Sequence, residues 1–275
     1  MRLLVLAVLP ALSALGQPMG RDINPGVLGA NALPPLANES PRVGDVAVLQ
    51  LGWAGQLSTP VGDGVDASML VPFRLEVPVG HRVAFAADGS PFELFRYSTQ
   101  TGDAWSPRRS QGITRADVRL STKVLLWNEA GVRPVTAVRV TLKTATGEDL
   151  FTRRFLDAPA YQFDALASWH RVLGRTRLEA WLLVGFLAWQ QGAVGQNDAL
   201  AWAGTLVARW PLWAVRVEGR GYLGWQRGDK PVVLATWLEA TLTPLVDVLV
   251  HASRGFLDPP LVEVGAAVRV RLPLE

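Results

Sequence analysis

Apolar and polar residues alternate with a period of two along most of this chain. In segment 261–273, Val, Leu and Ala occupy every second position, and charged residues such as Glu263 and Arg269 lie between them. Segments 212–226 and 115–127 repeat the pattern. Because successive side chains of a β-strand point to opposite faces, each segment is predicted to be a strand between an apolar and a polar environment.

The same pattern, interrupted by turn residues, predicts an all-β chain. Tight connections such as 79–82 alternate with longer polar loops such as 99–114. Short turns at one end, long loops at the other and an even strand count are typical of outer-membrane barrels. The predicted fold is a single antiparallel transmembrane β-barrel of about 12 strands. The predicted strands span residues 45–58, 67–79, 82–97, 115–127, 135–146, 160–171, 176–190, 198–210, 212–226, 231–243, 245–255 and 261–273.

Charged residues are concentrated on one face of these strands, which we assign to the barrel interior. Twenty charges in a soluble core would each cost several kcal/mol, so the alternative is a soluble β-sandwich with this face in water. Arg269 and Arg271 are expected to present free positive charge, because Gln50 and Gly52 of the first strand are uncharged. Twelve basic against eight acidic residues predict a net basic lumen. The predicted lumen-lining residues are Arg74, Glu76, Arg115, Asp117, Arg119, Lys123, Arg139, Lys143, Asp164, Arg177, Glu179, Arg209, Arg216, Glu218, Arg220, Glu239, Asp247, Glu263, Arg269 and Arg271.

Aromatic residues on the opposite, outward face favour the membrane interpretation over the sandwich. Trp213 and Trp225 share that face and are predicted to lie roughly 30 Å apart along the barrel axis, near the height of the apolar band between two aromatic girdles. The predicted girdle residues are Tyr161, Trp169, Trp202, Trp210, Trp213 and Trp225.

The N-terminus predicts export. Arg2 precedes an apolar stretch at 3–15, and small residues end it at Gly16, so residues 1–16 are predicted to be a signal peptide cleaved between Gly16 and Gln17. Segment 17–44 is rich in Gly, Pro and Asn and is predicted to be an irregular periplasmic leader. Residues 45–275 are assigned to the outer-membrane barrel.

Composition removes several classes of protein. The 275 residues include no Cys, which excludes disulfide scaffolds and thiol catalysis. After residue 16 the longest nearly unbroken apolar stretch has ten residues, 180–189, short of the roughly 20 that a membrane helix needs. A net charge of only +3 gives no reason to expect nucleic acid as a partner. The expected partners are the lipid bilayer, lipopolysaccharide, the barrel-assembly machinery and a small solute.

The predicted function is a narrow porin-like channel or small-solute transporter, without catalytic residues, metal or cofactor. Two alternatives remain. The string 251–255 resembles the His-x-Ser-Asn-Gly motif of the outer-membrane phospholipase, so His251 and Ser253 are candidates for a hydrolase, although their parity places them inside the barrel. The second alternative is a structural or adhesive barrel that acts through loops 99–114 and 147–159.

Segments 24–34, 157–161, 196–199, 221–224 and 228–231 carry a wider resemblance. Through them the chain resembles an uncharacterised group of outer-membrane β-barrel proteins from diderm bacteria. The resemblance spans most of the chain after the signal peptide and implies export and a barrel fold. It implies no established activity.

Overall fold

The computed structural model describes residues 37–58, 65–96, 111–128, 130–131, 133–147, 159–190, 196–224, 230–257 and 261–274. Within these ranges, fifteen β-strands join into one antiparallel sheet. No helix among the described residues is long and apolar enough to cross a membrane. The strands are β1 (Ala47–Ser58), β2 (Asp66–Leu70), β3 (Phe73–Val79), β4 (Val83–Gly89), β5 (Glu93–Arg96), β6 (Gln111–Thr114), β7 (Arg119–Trp127), β8 (Val135–Lys143), β9 (Ala160–Leu173), β10 (Thr176–Gln190), β11 (Gln196–Arg209), β12 (Trp213–Gly224), β13 (Val232–Thr243), β14 (Val246–Leu257) and β15 (Leu261–Leu272).

The sheet closes on itself because β15 pairs with β1 over the full length of both strands, from Ala47 opposite Leu272 to Ser58 opposite Leu261. Three ring strands are each built from two pieces. The first consists of β2 and β3, which both pair with β1. The second consists of β5, which pairs with β2, and β4, which pairs with β3. The third consists of β6, which pairs with β5, and β7, which pairs with β4. The ring therefore has twelve strands in chain order, which confirms the predicted all-β barrel.

The three broken strands are interrupted side by side, at 71–72, 90–92 and 115–118. Pro72 and Pro91 lie in two of these breaks, and proline has no N–H to donate to a ladder. Backbone bonds bridge the gap: Val71 N donates to Phe92 O at 3.0 Å, and Ala116 N donates to Ser90 O at 2.9 Å. The predicted continuous strands 67–79, 82–97 and 115–127 are therefore wrong across the breaks, and the predicted loop 99–114 contains β6. The alternation of faces shifts across 90–92 and 115–118.

Tight connections lie at one end of the barrel, together with the first residue of β1 and the last residue of β15. The connection between β3 and β4 contains Gly80 at φ 64°, and the connection between β9 and β10 contains Gly174 at φ 61°. Side chains with a Cβ rarely adopt this conformation, so glycine is the residue that such hairpin turns need.

The two faces of the barrel are inverted relative to a soluble protein. Apolar side chains are exposed on the outside, including Val184 at 57%, Leu206 at 67% and Val264 at 49%. Charged side chains are buried on the inside, including Glu218 at 0% and Arg139 at 4%. Charged residues are seldom buried in soluble proteins unless paired, so the inner face must supply their partners.

Candidate functional site

Directly opposed polar side chains form a row around seven consecutive strands of the inner wall. The strand register places them side by side, because each residue of the row is paired directly with the next one on the neighbouring strand. Several are in contact: Arg119 Nη2 lies 2.5 Å from Asp88 Oδ2, and Arg269 Nη2 donates to Gln50 Oε1 at 3.4 Å. From β14 to β8, the row consists of Asp247, Arg269, Gln50, Arg74, Asp88, Arg119 and Lys143.

The prediction that Arg269 and Arg271 present free positive charge is wrong. Arg269 does face the uncharged Gln50 of β1 across the seam, as the sequence suggests. Carboxylates come instead from the other side: Arg269 Nη1 lies 3.2 Å from Glu239 Oε2, and Arg271 Nη2 lies 2.5 Å from Asp247 Oδ2. Both guanidinium groups are therefore ion-paired within the wall.

Most of the other predicted lumen residues in the described ranges are also in ion pairs or ring contacts. Arg216 makes a ring contact: its guanidinium lies 3.6 Å above the centre of the Trp237 ring, which is a cation–π contact. Other ion pairs of the wall are Lys143–Asp117 at 2.7 Å, Arg177–Glu179 at 3.0 Å, Arg209–Glu179 and Arg209–Glu239 at 3.9 Å each, and Arg220–Glu218 at 2.9 Å.

The predicted net basic interior is offset by carboxylates that the sequence analysis did not assign. Asp66, Asp88 and Glu93 are buried on the sheet, and Glu39 of the leader lies between interior side chains. Arg115 is exposed, because it lies in the 115–118 break rather than in a strand. Without Arg115 and with these four carboxylates, the assigned interior has eleven basic and twelve acidic residues, so the predicted excess of positive charge is gone. Asp88 was detectable from its alternation with Ala84 and Ala86 on β4, but alanine gives that pattern little contrast.

Part of the leader lies inside the barrel. Asn38 Nδ2 donates to Thr205 Oγ1 of β11 at 3.0 Å, while Glu39 Oε2 lies 2.6 Å from Arg74 Nη2 of β3. These strands are the eighth and second of the twelve in the ring, so they lie on opposite walls. Two consecutive leader residues thus contact both walls, and the segment crosses the lumen. The predicted periplasmic position is corrected for these residues.

Two further contacts join the leader to β7 and β9. Lys123 Nζ on β7 donates to the backbone oxygen of Ser40 at 3.2 Å. Arg42 Nη2 lies 3.3 Å from Nδ1 of His170, which is on β9 near the end with the tight turns. The described leader therefore runs from that end of the barrel into the lumen.

Glu39 is held by three cations from three strands. Its carboxylate lies 2.6 Å from Arg74, 3.1 Å from Arg139 and 3.9 Å from Lys123. Burial alone would raise the pKa of Glu39, but the positive charges of Lys123, Arg74 and Arg139 hold its pKa well below the ordinary value. Glu39 is therefore ionised at neutral pH.

His251 and Ser253 both lie on the inward face of β14, where Ser253 is only 6% exposed. His251 Nε2 lies 3.0 Å from Glu263 Oε1, and Gln56 Nε2 donates to Glu263 Oε2 at 2.5 Å. Nε2 of His251 is therefore in contact with the Glu263 carboxylate inside the barrel. Within the described ranges, no group of three or more His, Asp or Glu residues is arranged to hold a metal ion.

The predicted girdle residues differ in position. Tyr161, Trp169 and Trp213 are 50%, 37% and 43% exposed and lie towards strand ends. Trp210 stacks on Trp213 with ring centroids 3.8 Å apart. Trp202 departs from the prediction, since it lies at the middle of β11, opposite Gly221.

Trp225, the predicted cleavage site, the leader up to residue 36 and most of both outer loops fall outside the described residues. Their assignments stay predictions.

The barrel fold is supported by similarity to a solved outer-membrane channel. No protein-family model matches the chain, and neither does any curated protein. The COG4313 outer membrane channel from Pseudomonas putida F1 is similar with a TM-score of 0.56 and 12% identity, over 84% of this chain and 97% of that chain. The transport unit of the autotransporter AIDA-I from Escherichia coli has a TM-score of 0.49 at 7% identity, over 84% of this chain and 91% of that chain. The KdgM porin has a TM-score of 0.45 at 7% identity, over 80% of this chain and 98% of that chain.

Proposed function

We propose that this chain is an integral outer-membrane β-barrel that forms a narrow channel for small solutes, closed in the described state by its own leader. The observation that carries the proposal is the inversion of the two faces, with exposed Leu and Val outside and buried ion pairs inside. A closed barrel satisfies every backbone group between neighbouring strands, which is what a membrane requires of a β-structure.

The leader supports a gated rather than a permanently open channel. Asn38 and Glu39 contact opposite walls, so the lumen at their level is occupied. Twelve strands lie between the eight whose interior side chains fill and the sixteen that leave an aqueous channel. A segment of a few residues is therefore enough to close such a barrel.

The outward face gives the proposed partners and location. Apolar side chains between exposed aromatic residues suit a lipid bilayer, and the outer membrane is the bilayer in which such barrels occur. Arg254 lies outward on β14 near the end opposite the tight turns, 5.8 Å from the Phe256 ring. A cation there suits the phosphates of lipopolysaccharide. Insertion by the barrel-assembly machinery belongs to the same proposal.

The phospholipase-like alternative receives less support. A lipid-cleaving pair would have to face the bilayer, whereas His251 and Ser253 face inward. Loss of esterase activity on Ser253→Ala would support that alternative. The adhesive alternative concerns loops outside the described residues, and deleting them would test it.

Planar-bilayer conductance of the full chain tests the channel proposal. We expect brief, small openings for the native chain and sustained openings for the triple variant Asn38→Ala, Glu39→Ala, Arg42→Ala, which removes three leader contacts. Asp45→Asn is the matched control, since Asp45 is an exposed acidic residue of the same connecting segment. Folded protein that conducts in none of these forms would contradict the proposal.

A further inference from the structure

The strongest unexplained feature of the interior is the site that Glu39 occupies. The site consists of Arg74 on β3, Lys123 on β7 and Arg139 on β8, and we refer to these three residues as the carboxylate site. Lys123 and Arg139 are almost fully buried, with side-chain exposures of 6% and 4%. Two buried cations and the partly exposed Arg74, on three separate strands, form a binding site that belongs to the wall, whereas the carboxylate comes from the leader.

Contacts within the wall leave the carboxylate site one negative charge short. Arg139 pairs with Asp164 at 2.6 Å, Lys123 with Glu76 at 3.3 Å and Arg119 with Asp88 at 2.5 Å. Arg74 contacts Glu76 at 3.0 Å and Asp88 at 3.9 Å, both of which it shares with another cation. Without Glu39, four cations face three carboxylates; the cations are Arg74, Arg119, Lys123 and Arg139, and the carboxylates are Glu76, Asp88 and Asp164. Glu39 supplies the missing charge.

The geometry favours a carboxylate over a single-atom anion. Arg74 and Arg139 contact different oxygens of Glu39, Oε2 at 2.6 Å and Oε1 at 3.1 Å. A carboxylate bridges two such donors with two oxygens, which a single-atom anion cannot do. A dianion would leave the site with an excess negative charge in a buried environment.

Glu39 is attached to the wall by contacts that an external ligand can replace. Residues 37–46 form no strand and share no sheet ladder with the barrel. Besides Glu39, the leader is held by Asn38 on Thr205, by Arg42 on His170 and by the backbone oxygen of Ser40, which accepts from Lys123 Nζ at 3.2 Å. Glu39 lies eight residues before β1, and a short tether of this kind holds its group at an effective concentration on the order of millimolar. External carboxylate at comparable or higher concentration competes with such a group.

We propose that Arg74, Lys123 and Arg139 form a binding site for a small monocarboxylate, and that Glu39 of the leader is its internal ligand, displaced when a monocarboxylate solute binds. The inference rests on the proposed channel function for its physiological meaning. The site itself does not require conduction to be measured. It names the solute class of the channel as small organic acids with one carboxylate.

Binding of acetate to detergent-solubilised full-length protein tests the site directly. Saturation-transfer NMR of the acetate methyl signal gives apparent dissociation constants for the native chain, Glu39→Gln and the control Asp45→Asn. We expect Glu39→Gln to bind acetate at least about tenfold more tightly than the native chain, because the competing charged ligand is gone. Asp45→Asn should match the native chain, and acetamide, which is neutral, should bind none of the three.

Equal acetate affinities for the native chain and Glu39→Gln would overturn the proposal, as would the absence of acetate binding to a folded Glu39→Gln variant. Glu39→Ala serves as a second variant, since alanine neither occupies the site nor donates to it. In planar bilayers, acetate should open the native channel while acetamide should not. If none of the proteins conducts, the proposed channel function fails, but the NMR titration still decides the carboxylate site.

Discussion

An arginine introduced at mid-height on the outer face should destabilise the barrel strongly if that face contacts lipid. Val184 lies near the middle of β10 and is 57% exposed, so Val184→Arg places a charge outward without disturbing the interior. Arginine at the midplane of a bilayer costs a transmembrane barrel about 2–4 kcal/mol, against about 0–1 kcal/mol near the interface. The matched control is Leu178→Arg, on the same face of the same strand and 36% exposed.

The expected difference follows from the strand geometry. Six residues at about 3.3 Å each and a tilt near 40° place Leu178 about 15 Å nearer the tight-turn end, beyond half of an apolar band about 25 Å tall. We therefore expect Val184→Arg to cost about 2–3 kcal/mol more than Leu178→Arg. Urea titration of protein folded into phosphatidylcholine vesicles, followed by Trp fluorescence, measures both values. Equal stability of the two variants and the native chain would refute a lipid-facing outer surface, because a water-facing arginine costs almost nothing.

Three further predictions concern particular residues. Gly221→Val should destabilise the barrel by about 1–3 kcal/mol, because a Cβ there meets Pro231 O at 2.5 Å and the Trp202 ring at 2.7 Å. Gly219→Val is the control, since a Cβ at Gly219 meets nothing within 4 Å. Equal urea midpoints of the two variants would contradict this prediction. Glu39 has a lowered pKa in the folded barrel, so its stabilisation of the leader is complete above its ordinary pKa of 4.5 and declines progressively as the pH falls from there towards the lowered pKa. Bilayer conductance should rise gradually on that acidification, and a rise of the same size in Glu39→Gln would assign it to other carboxylates. Asp247→Asn removes a carboxylate shared by Arg269 and Arg271. The reversal potential of open channels under a salt gradient should therefore move towards anion preference. An unchanged reversal potential, or one that moves towards cation preference, would argue against those ion pairs.

The barrel was predictable because its signal is local. Alternation along segments such as 261–273 and the segregation of short and long connections fix both the number of strands and the face of most residues. The breaks at 71–72, 90–92 and 115–118 were not anticipated, although Pro72 and Pro91 lie in two of them. Residues within a break leave the inside–outside alternation of a strand, which is why Arg115 is exposed although the pattern assigns it to the lumen.

The interior was only partly predictable because its partners are distant in sequence. The sequence places Arg269 inward, but its pairing with Glu239 depends on reaching past β14 to β13. The contact between Glu39 and Arg139 joins residues one hundred positions apart through a segment without any periodicity. Composition predicts an irregular segment, as the described residues 37–44 are, and gives no sign that it enters the lumen.

Electrophoresis of the full chain before and after boiling is the most direct test of a membrane-spanning closed barrel. A closed barrel has no free edge at which to fray, so the account predicts that protein extracted with mild detergent migrates differently when unboiled than when boiled. It also predicts that the folded protein is recovered from the membrane fraction only with detergent. Identical migration of both samples, together with solubility of the folded protein without detergent, would contradict the account and favour a water-soluble sandwich.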